Sequence, residues 1–393
     1  MNSSHNRKNK LKDYCHITSS KRIYASDYVD NGIPFIRGRE IVQRFAHDGE
    51  LRSNLYISRE KFELIKNKYG APEKGDILIT SVGTLGIPYI VTSDDEFYFK
   101  DGNLIWFKNI EKLNSTFFYY WLLSPIGRSQ LHKCTIGTSQ SAYTIERLKE
   151  IEIDDLSLTK QEKIASILSS YDDLIENNRR RIQLLERSAR LLYREWFVHL
   201  RFPGHEHAKI VDGVPEGWEN NHLGDVAPLN YGKSLKKSNR EIGPFPVYGS
   251  SGIIGYHSCS LISGPAIIIG RKGNVGKIFW SYDDCYPIDT VYYIENKNCS
   301  YYLYYALKNI TFISTDVAVP GLNRDFAHSR SVIIPDDKIL RLFENYASDI
   351  HRQIYLLIKE IDTLSKVRDL LLPKLMNGEI TICKQPKPNS SIS

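Results

Sequence analysis

Several features that define other classes of protein are missing from this sequence of 393 residues. Its apolar runs are strand-sized, well short of the eighteen or more residues that a membrane-spanning helix needs. The opening MNSSHNRKNK has no apolar segment behind its charges, so we expect no secretory signal. The six cysteines include no Cys-x-x-Cys pair, which argues against a zinc site or a disulfide framework. These absences favour a protein of the reducing cytoplasm, without membrane contact.

Neither sign of charge is in large excess, because 52 basic residues are balanced by 46 acidic ones and the net charge is only +6. That balance permits an anionic partner without requiring one. Hydrophobic residues at 41% and charged residues at 25% are typical of a globular chain. The length exceeds what one ordinary core accommodates, so two or three domains are expected.

No catalytic or cofactor-binding motif is complete. A phosphate-binding loop that ends at Gly232-Lys233-Ser234 would need its first glycine at Ala227. The glycine-rich segment 270–276 lacks the Rossmann spacing, and the residues after it predict a strand rather than a helix. The His-Glu-His tripeptide at 205–207 has no third ligand nearby, which favours a solvated loop over a metal site. The sequence therefore predicts no catalytic residue, no metal and no cofactor.

The chain contains one internal repeat. The opening Leu11-Lys12-Asp13-Tyr14 resembles Leu223-Gly224-Asp225-Val226, at an offset of 223 − 11 = 212 residues. The segment 77–86 resembles 267–276, at an offset of 273 − 83 = 190. Aromatic runs follow in both copies, at 117–121 and 301–305. Each copy then ends in a long periodic segment, so a globular domain followed by a helix is expected twice.

The two periodic segments have apolar residues spaced alternately by three and four. Their registers coincide, since 347 − 168 and 371 − 192 both equal 179. Such a 3.5-residue period predicts two long helices that pair as a coiled coil, the alternative being two amphipathic helices packed on their own domains. Asn178 and Arg368 are the polar residues within the pattern. The predicted seam consists of Leu168, Tyr171, Ile175, Asn178, Ile182, Leu185 and Leu192 on the first helix and Ile350, Ile354, Leu357, Ile361, Leu364 and Leu371 on the second.

Strand-like runs among short helices, as at 266–269, 291–294 and 332–334, predict globular domains of the α/β or α+β class. We expect two such domains, which alternate with the two long helices in a pseudo-two-fold repeat, the helices pairing as an antiparallel coiled coil. The predicted boundaries are a first domain at 1–158, a central helix at 159–200, a linker loop at 201–222, a second domain at 223–336, a second helix at 337–379 and a disordered tail at 380–393.

Positive and hydrogen-bonding side chains cluster near predicted turns in both domains. Such groups suit the neutralisation of phosphates and hydrogen bonds to base edges, whereas the alternative is an ordinary solvated surface. The candidate DNA-binding residues are Arg37, Arg39, Arg44, Ser81 and Thr84 in the first domain and Lys233, Lys236, Lys237, Arg240, Arg271, Lys272 and Asn274 in the second.

Four stretches resemble the specificity subunits of type I restriction–modification systems. QEKIASILSSYDDLI at 161–175, and LYREWFV at 192–198 with LRFPGHE at 200–206, are similar to the central conserved region of that family. So are VPEGW at 214–218 and LLPKLMNGEI at 371–380, and the likeness covers nearly the whole chain. Two departures stand out. The first domain starts almost at residue 1, and the second coil begins with Asp-Asp-Lys where the first has Gln-Glu-Lys.

The resemblance implies a non-catalytic subunit whose two target-recognition domains each read one half of a bipartite double-stranded DNA sequence. The paired helices would set the spacing and dock two methyltransferase (M) subunits, which methylate adenine. An ATP-dependent motor-nuclease (R) subunit would join them for restriction. Two other interpretations stay open: a coiled-coil adaptor with protein-binding domains and no DNA specificity, and a nuclease or methyltransferase that acts alone, against which the missing motifs argue.

Overall fold

The computed structural model describes residues 8–47, 51–93, 96–137, 141–211, 213–313 and 321–380. The chain divides into two compact units, of which unit 1 comprises Met1–Asn177 with Glu360–Ser393 and unit 2 comprises Asn178–Lys359. The predicted tail lies outside the described residues except for Ile380. Within the described ranges, no helix is both long enough and apolar enough to cross a membrane.

Several helices begin at a residue whose side chain caps them. Asn114 accepts a hydrogen bond from the backbone of Phe117, and Ser300 does the same for Leu303, so both aromatic runs lie in capped helices. The helices are α1 Gly38–His47, α2 Arg59–Tyr69, α3 Ser115–Leu123, α4 Pro125–Lys133, α5 Ile145–Lys149, α6 Leu158–Tyr193, α7 Leu223–Val226, α8 Tyr301–Asn309, α9 Arg324–His328 and α10 Asp337–Met376.

Unit 1 is built on two four-stranded sheets. One is antiparallel throughout, with strand order β2-β9-β6-β7, and the other has the order β3-β5-β4-β8 with β4 and β8 parallel. The remaining strands pair as β1–β12 and β10–β11. The strands are β1 Lys8–Lys10, β2 His16–Thr18, β3 Tyr28–Val29, β4 Ile33–Ile36, β5 Tyr56–Ile57, β6 Ile77–Thr80, β7 Pro88–Ile90, β8 Tyr98–Phe99, β9 Leu104–Lys108, β10 Thr135–Ile136, β11 Ala142–Tyr143 and β12 Glu152–Asp154.

Unit 2 repeats this scheme with a shorter second sheet. Its main sheet has the order β16-β22-β19-β20, and a three-stranded sheet has the order β18-β17-β21 with β17 and β21 parallel. The other pairs are β13–β14 and β15–β23. The strands are β13 Ile210–Val211, β14 Val214–Pro215, β15 Glu219–His222, β16 Asn230–Tyr231, β17 Phe245–Gly249, β18 Gly252–His257, β19 Ala266–Gly270, β20 Ile278–Ser281, β21 Tyr286–Pro287, β22 Val291–Ile294 and β23 Ser331–Ile334.

The repeat inferred from the sequence is confirmed by the strand orders. Strands β6 and β19 are equivalent at an offset of 190, and each is the third strand of its four-stranded sheet. Helices α5 and α9 start 324 − 145 = 179 residues apart, which is the offset of the heptads. The mixed helix-and-sheet fold class, with two domains and two long helices, is therefore confirmed.

In unit 1, the earlier part of α6 packs with the later part of α10. Ile164 and Leu168 share a core with Leu375 and Met376. Arg368, the odd residue of the second heptad pattern, donates to Asp172 of α6 over 2.5 Å. Asp172 in turn accepts a hydrogen bond from Tyr120 of α3. This network explains a charged side chain in the pattern, because the guanidinium is paired where it is half-buried.

In unit 2, the later part of α6 packs with the earlier part of α10, so the helix halves in each unit pair in the antiparallel sense. Tyr193 and Phe197 contact Phe343 with ring centroids 6.1 and 5.1 Å apart. Each predicted seam residue is buried or half-buried, including Asn178 at 3% exposure. The amide nitrogen of Asn178 is buried without a hydrogen-bond partner, which is the kind of polar seam residue that favours one helix register over others.

The segment 201–222, predicted as a linker loop, has more structure than expected. It contains the β13–β14 hairpin and strand β15, which pairs with β23. The rings of Phe202 and Trp218 pack with their centroids 5.0 Å apart in the core of unit 2. Burial of these two rings fixes a segment whose Pro and Gly content alone indicates a loop. The central helix also ends its α-helical part at Tyr193 and continues as a π-helix, Arg194–Val198.

Candidate nucleic-acid interface

A glycine-rich turn joins β19 to β20 in unit 2. This agrees with the prediction that a strand, rather than a helix, follows the segment 270–276. The backbone of Gly270 donates to Lys277, and that of Gly276 donates back to Gly270, both over 2.8 Å. Gly273 and Gly276 have φ values of 81° and 71°, which only glycine adopts without strain. The turn therefore presents Lys272 and Asn274 as exposed side chains on a closed, rigid backbone.

Unit 1 contains the same turn between β6 and β7. Gly86 donates to Thr80, and Thr80 donates to Ile87, in the equivalent hydrogen-bond pattern. Of the two candidates here, Thr84 is exposed, whereas Ser81 is buried. The Ser81 hydroxyl donates to the carbonyl of Gly102 over 3.2 Å, so this side chain braces the turn from beneath. The scaffold is thus shared, while the side chains at equivalent positions differ.

Each turn is held by the same neighbouring segments. In unit 2, Arg271 donates its backbone N–H to Thr290 and accepts one from Leu322 at its carbonyl. In unit 1, Ser81 donates to Asn103 and accepts from Tyr143. Isolated β-bridges, Lys272 with Gly321 and Val82 with Ala142, complete the correspondence. In each unit these segments meet at the same end of the four-stranded sheet, where β6 or β19 ends and the turn begins.

The remaining candidates of unit 2 fall into two groups. Lys233 is exposed, and its backbone donates to Pro287, on the segment that leads to Thr290. Lys236 and Lys237 are exposed at the start of a 3₁₀ turn. Arg240 is half-buried and donates to the carbonyl of Ile254, so it braces the β17–β18 hairpin. The structure thus brings Lys233, Arg271, Lys272 and Asn274 together, without tying the other three to them.

In unit 1, two candidate arginines are organised by a buried carboxylate that the sequence did not single out. Glu40 is 4% exposed and accepts from Arg37 over 2.6 Å and from Arg39 over 3.3 Å. Burial alone would raise the pKa of Glu40, but the hydrogen bonds from Arg37 hold it below its ordinary value. Glu40 therefore stays ionised and fixes both guanidiniums at the start of α1.

The start of α1 adjoins the glycine-rich turn of unit 1. A Cβ atom on Gly38 would lie 3.7 Å from Thr80 and 3.8 Å from the carbonyl of Asn103. Arg44, one turn and a half further along α1, lies over the ring of Tyr89 at 5.1 Å from its centroid. Unit 1 therefore presents Arg39 and Arg44 from a helix and Arg37 directly before it, where unit 2 continues directly from β17 into the β18 hairpin.

Within the described ranges, His, Cys, Asp and Glu side chains form no group of three that could hold a metal ion. The His-Glu-His tripeptide forms a 3₁₀ turn. Its first histidine contacts the backbone carbonyl of Phe202. Sequence reasoning missed Glu40 in unit 1 and Tyr231 and Arg324 in unit 2. The ring of Tyr231 lies beneath the guanidinium of Arg271 and also contacts that of Arg324. The only sequence signal for Glu40 is its position directly after Arg39 and three residues after Arg37.

The chain matches the family model described as "Type I restriction modification DNA specificity domain" over residues 5–187 and 215–360. It is 28% identical to the type I restriction enzyme MjaIX specificity subunit of Methanocaldococcus jannaschii, across 95% of this chain and 93% of that protein. It is 22% identical to the HindI specificity subunit of Haemophilus influenzae, across 86% and 94%. The crystal structure of a type I S subunit from M. genitalium has the same fold, with a TM-score of 0.54 and 20% identity over 95% and 98% of the two chains.

The two matched stretches cover most of the chain and contain both repeats of the fold. The chain therefore belongs to the type I restriction–modification DNA specificity family, the specificity subunits of those systems. The resemblance noted in the sequence is thereby confirmed.

Proposed function

We propose that this chain is the non-catalytic subunit that selects the DNA sequence for a type I restriction–modification complex, with each unit reading one half of a bipartite target. The observation that carries this proposal is the duplicated turn. The same pair of backbone hydrogen bonds closes two turns whose exposed side chains differ, Lys272 and Asn274 in one and Thr84 in the other. A shared scaffold with different side chains suits two readers of two unlike sequences.

The helices support a role in spacing. Each of α6 and α10 contributes residues to both units, so each of these helices continues from one unit into the other. From Leu168 to Trp196, the next apolar position of the same pattern after Leu192, the first periodic segment spans 196 − 168 = 28 residues. At about 1.5 Å per residue this is roughly 42 Å. With about 3.4 Å per base pair, the half-sites would be centred on the order of 12 base pairs apart.

The outer faces of the helices support the docking of two methyltransferase subunits, with a motor-nuclease subunit added for restriction. On α6 and its π-helical continuation in unit 2, Leu184, Leu191 and Val198 are 55%, 44% and 41% exposed. They are spaced by seven residues and therefore share one face. Leu356 in unit 2 and Leu370 in unit 1 are exposed on α10 at a spacing of fourteen. Exposed apolar stripes of this kind suit a protein partner, whereas the residues proposed to contact DNA are charged or polar.

A split in specificity tests the proposal directly. In the complex with its methyltransferase, Arg37→Lys combined with Arg39→Ala is expected to weaken selection at one half-site by about 10-fold and to leave the other unchanged. Lys at position 37 keeps a cation beside buried Glu40. Lys272→Ala combined with Asn274→Ala is expected to affect only the opposite half-site. Each pair is the control for the other when methylated positions are sequenced from a random duplex library. Equal effects of both pairs on both half-sites would refute the assignment.

Docking has its own test. Leu184→Glu with Leu191→Glu is expected to weaken methyltransferase binding by on the order of 10- to 100-fold, because two apolar contacts become buried charges. Gln183→Glu with Ser188→Glu places the same charges on neighbouring exposed positions of α6 and is expected to bind as the unchanged chain does. Calorimetry or co-purification measures both. Equal affinity of the two double variants would exclude this stripe as the docking face.

A further inference from the structure

Two guanidiniums from distant parts of unit 2 meet on one exposed tyrosine. Arg271 lies 4.9 Å and Arg324 lies 5.0 Å from the ring centroid of Tyr231. Tyr231 is 47% exposed and packs edge-on against the buried ring of Tyr292, 5.1 Å away. The hydroxyl of Tyr292 donates to the carbonyl of Leu322. The ring of Tyr231 is therefore supported by Tyr292 and remains partly exposed beside the two guanidiniums that contact it.

Both guanidiniums retain donors that an acceptor-rich ligand could use. Arg271 uses one Nη atom to donate to the backbone carbonyl of Asp289 over 3.2 Å. A guanidinium has five N–H donors, so this bond fixes its orientation and leaves others available. Arg324 is half-buried, and its Nε is buried without a partner, so the donors that a ligand could reach are those of its Nη atoms. Lys272 and Lys233 stand exposed on the adjoining segments and add positive charge.

The whole cluster is specific to the second repeat. Pairing of β16 with β22, and of β2 with β9, aligns Tyr231 with Ser19 and Tyr292 with Ile105. The offsets of 190 and 179 align Arg271 with Ser81 and Arg324 with Ile145. Unit 1 therefore keeps the scaffold while each of the four side chains differs. Tyr292 and Ile105 are both buried in the cores of their units, so this position maintains the shared fold. Tyr231, Arg271 and Arg324 have no counterpart of the same kind in unit 1, which favours a role that is specific to unit 2.

We propose that Tyr231 orients Arg271 and Arg324 as a single element that reads guanine in the half-site of unit 2. A guanidinium held flat against a ring presents its planar fork at a fixed angle, and the O6 and N7 atoms of guanine in the major groove match that fork. The inference rests on the proposed function, because it assumes that unit 2 reads DNA. It adds two residues, Tyr231 and Arg324, and the class of base that they select.

The test uses the complete complex with its methyltransferase partner on a random duplex library, read out by sequencing the methylated products. Arg271→Lys and Arg324→Lys keep the charge but remove the fork, so each is expected to lower the preference for guanine at one position by about 5- to 150-fold. Tyr231→Leu is expected to act in the same direction, and Tyr231→Phe, which keeps the ring, is expected to retain the preference. The half-site of unit 1 is the internal standard.

The matched control is Arg330→Lys. Arg330 also lies over a ring, at 4.1 Å from the centroid of Phe326, and its Nε is also buried without a partner. It is expected to change neither half-site. Variants that keep the full guanine preference overturn the inference, and so do variants that weaken all sequences equally, which identifies phosphate contacts. If the unaltered complex methylates without any sequence preference, the proposed function itself fails and the inference falls with it.

Discussion

Replacing His351 with Phe is expected to lower the free energy of unfolding of unit 2 by about 3 kcal/mol at pH 7. His351 is 2% exposed, and its two ring nitrogens contact the hydroxyls of Tyr282 and Tyr305 over 2.7 and 2.8 Å. Its ring stacks on Tyr301 at 4.2 Å. Phe keeps most of the packing but leaves both hydroxyls without a partner. Denaturant unfolding of the full chain measures the loss, and Arg352→Ala at the exposed neighbour is expected to change it by less than about 0.5 kcal/mol.

The same variant isolates a pH dependence. Burial, assisted by the charge of Lys308, lowers the pKa of His351 to about 3. The unfolded chain takes up this proton near pH 6.5, so the stabilisation is complete above that pH and is lost as pH falls towards 3. From pH 7 to pH 5 the loss is about 2 kcal/mol. The difference in stability between the original chain and His351→Phe should therefore shrink from about 3 to about 1 kcal/mol. A difference that stays constant would mean that His351 does not titrate in this way.

Lengthening both helices is expected to change the recognised sequence without changing either half of it. Four residues inserted after Asn177 in α6 and four after Lys359 in α10 lie where each helix passes from one unit to the other, so the contacts within each unit stay intact. Four residues add roughly 6 Å and nearly complete one helical turn. The gap between the methylated half-sites should lengthen by one or two base pairs.

Two residues inserted at the same points provide the control. They rotate the helix faces by about 200°, which breaks the seam, so assembly with the methyltransferase should be lost. Methylome sequencing of a host that carries each variant distinguishes the outcomes. If the four-residue variant methylates with the original gap, the proposal that the helices set the spacing is wrong.

The parts of the fold that were predictable are those encoded by local periodicity. The heptads located α6 and α10, and the glycine pattern located the β19–β20 turn, because neither depends on a distant residue. Arg368 looked like an interruption of the heptads, since its partner Asp172 lies 196 residues away. Pro and Gly dominate the neighbourhood of Phe202 and Trp218 and therefore predict a linker. Only tertiary contacts reveal that both rings are buried.

The candidate interface was predictable only in outline. Counting positive residues near turns found Arg271 and Lys272, which the structure does present at a sheet edge. It also selected Ser81 and Arg240, whose side chains bond to backbone carbonyls, because charge and polarity in a sequence do not reveal direction. It passed over Tyr231 and Arg324, which lie 324 − 231 = 93 residues apart and meet only through the fold.

Because unit 2 lies within the sequence of unit 1, the two units must complete their folding in a particular order during translation. Unit 2 is one continuous stretch of chain, so its folding can begin while later residues are still being translated. Unit 1 starts emerging first but needs Leu375 and Met376, both almost fully buried in its core, to finish. Unit 1 therefore begins to leave the ribosome first but completes its folding last, whereas N-terminal domains usually fold first. A premature stop codon within the α10 segment before Leu375 would therefore affect the N-terminal part of unit 1, because its apolar core would lack Leu375 and Met376.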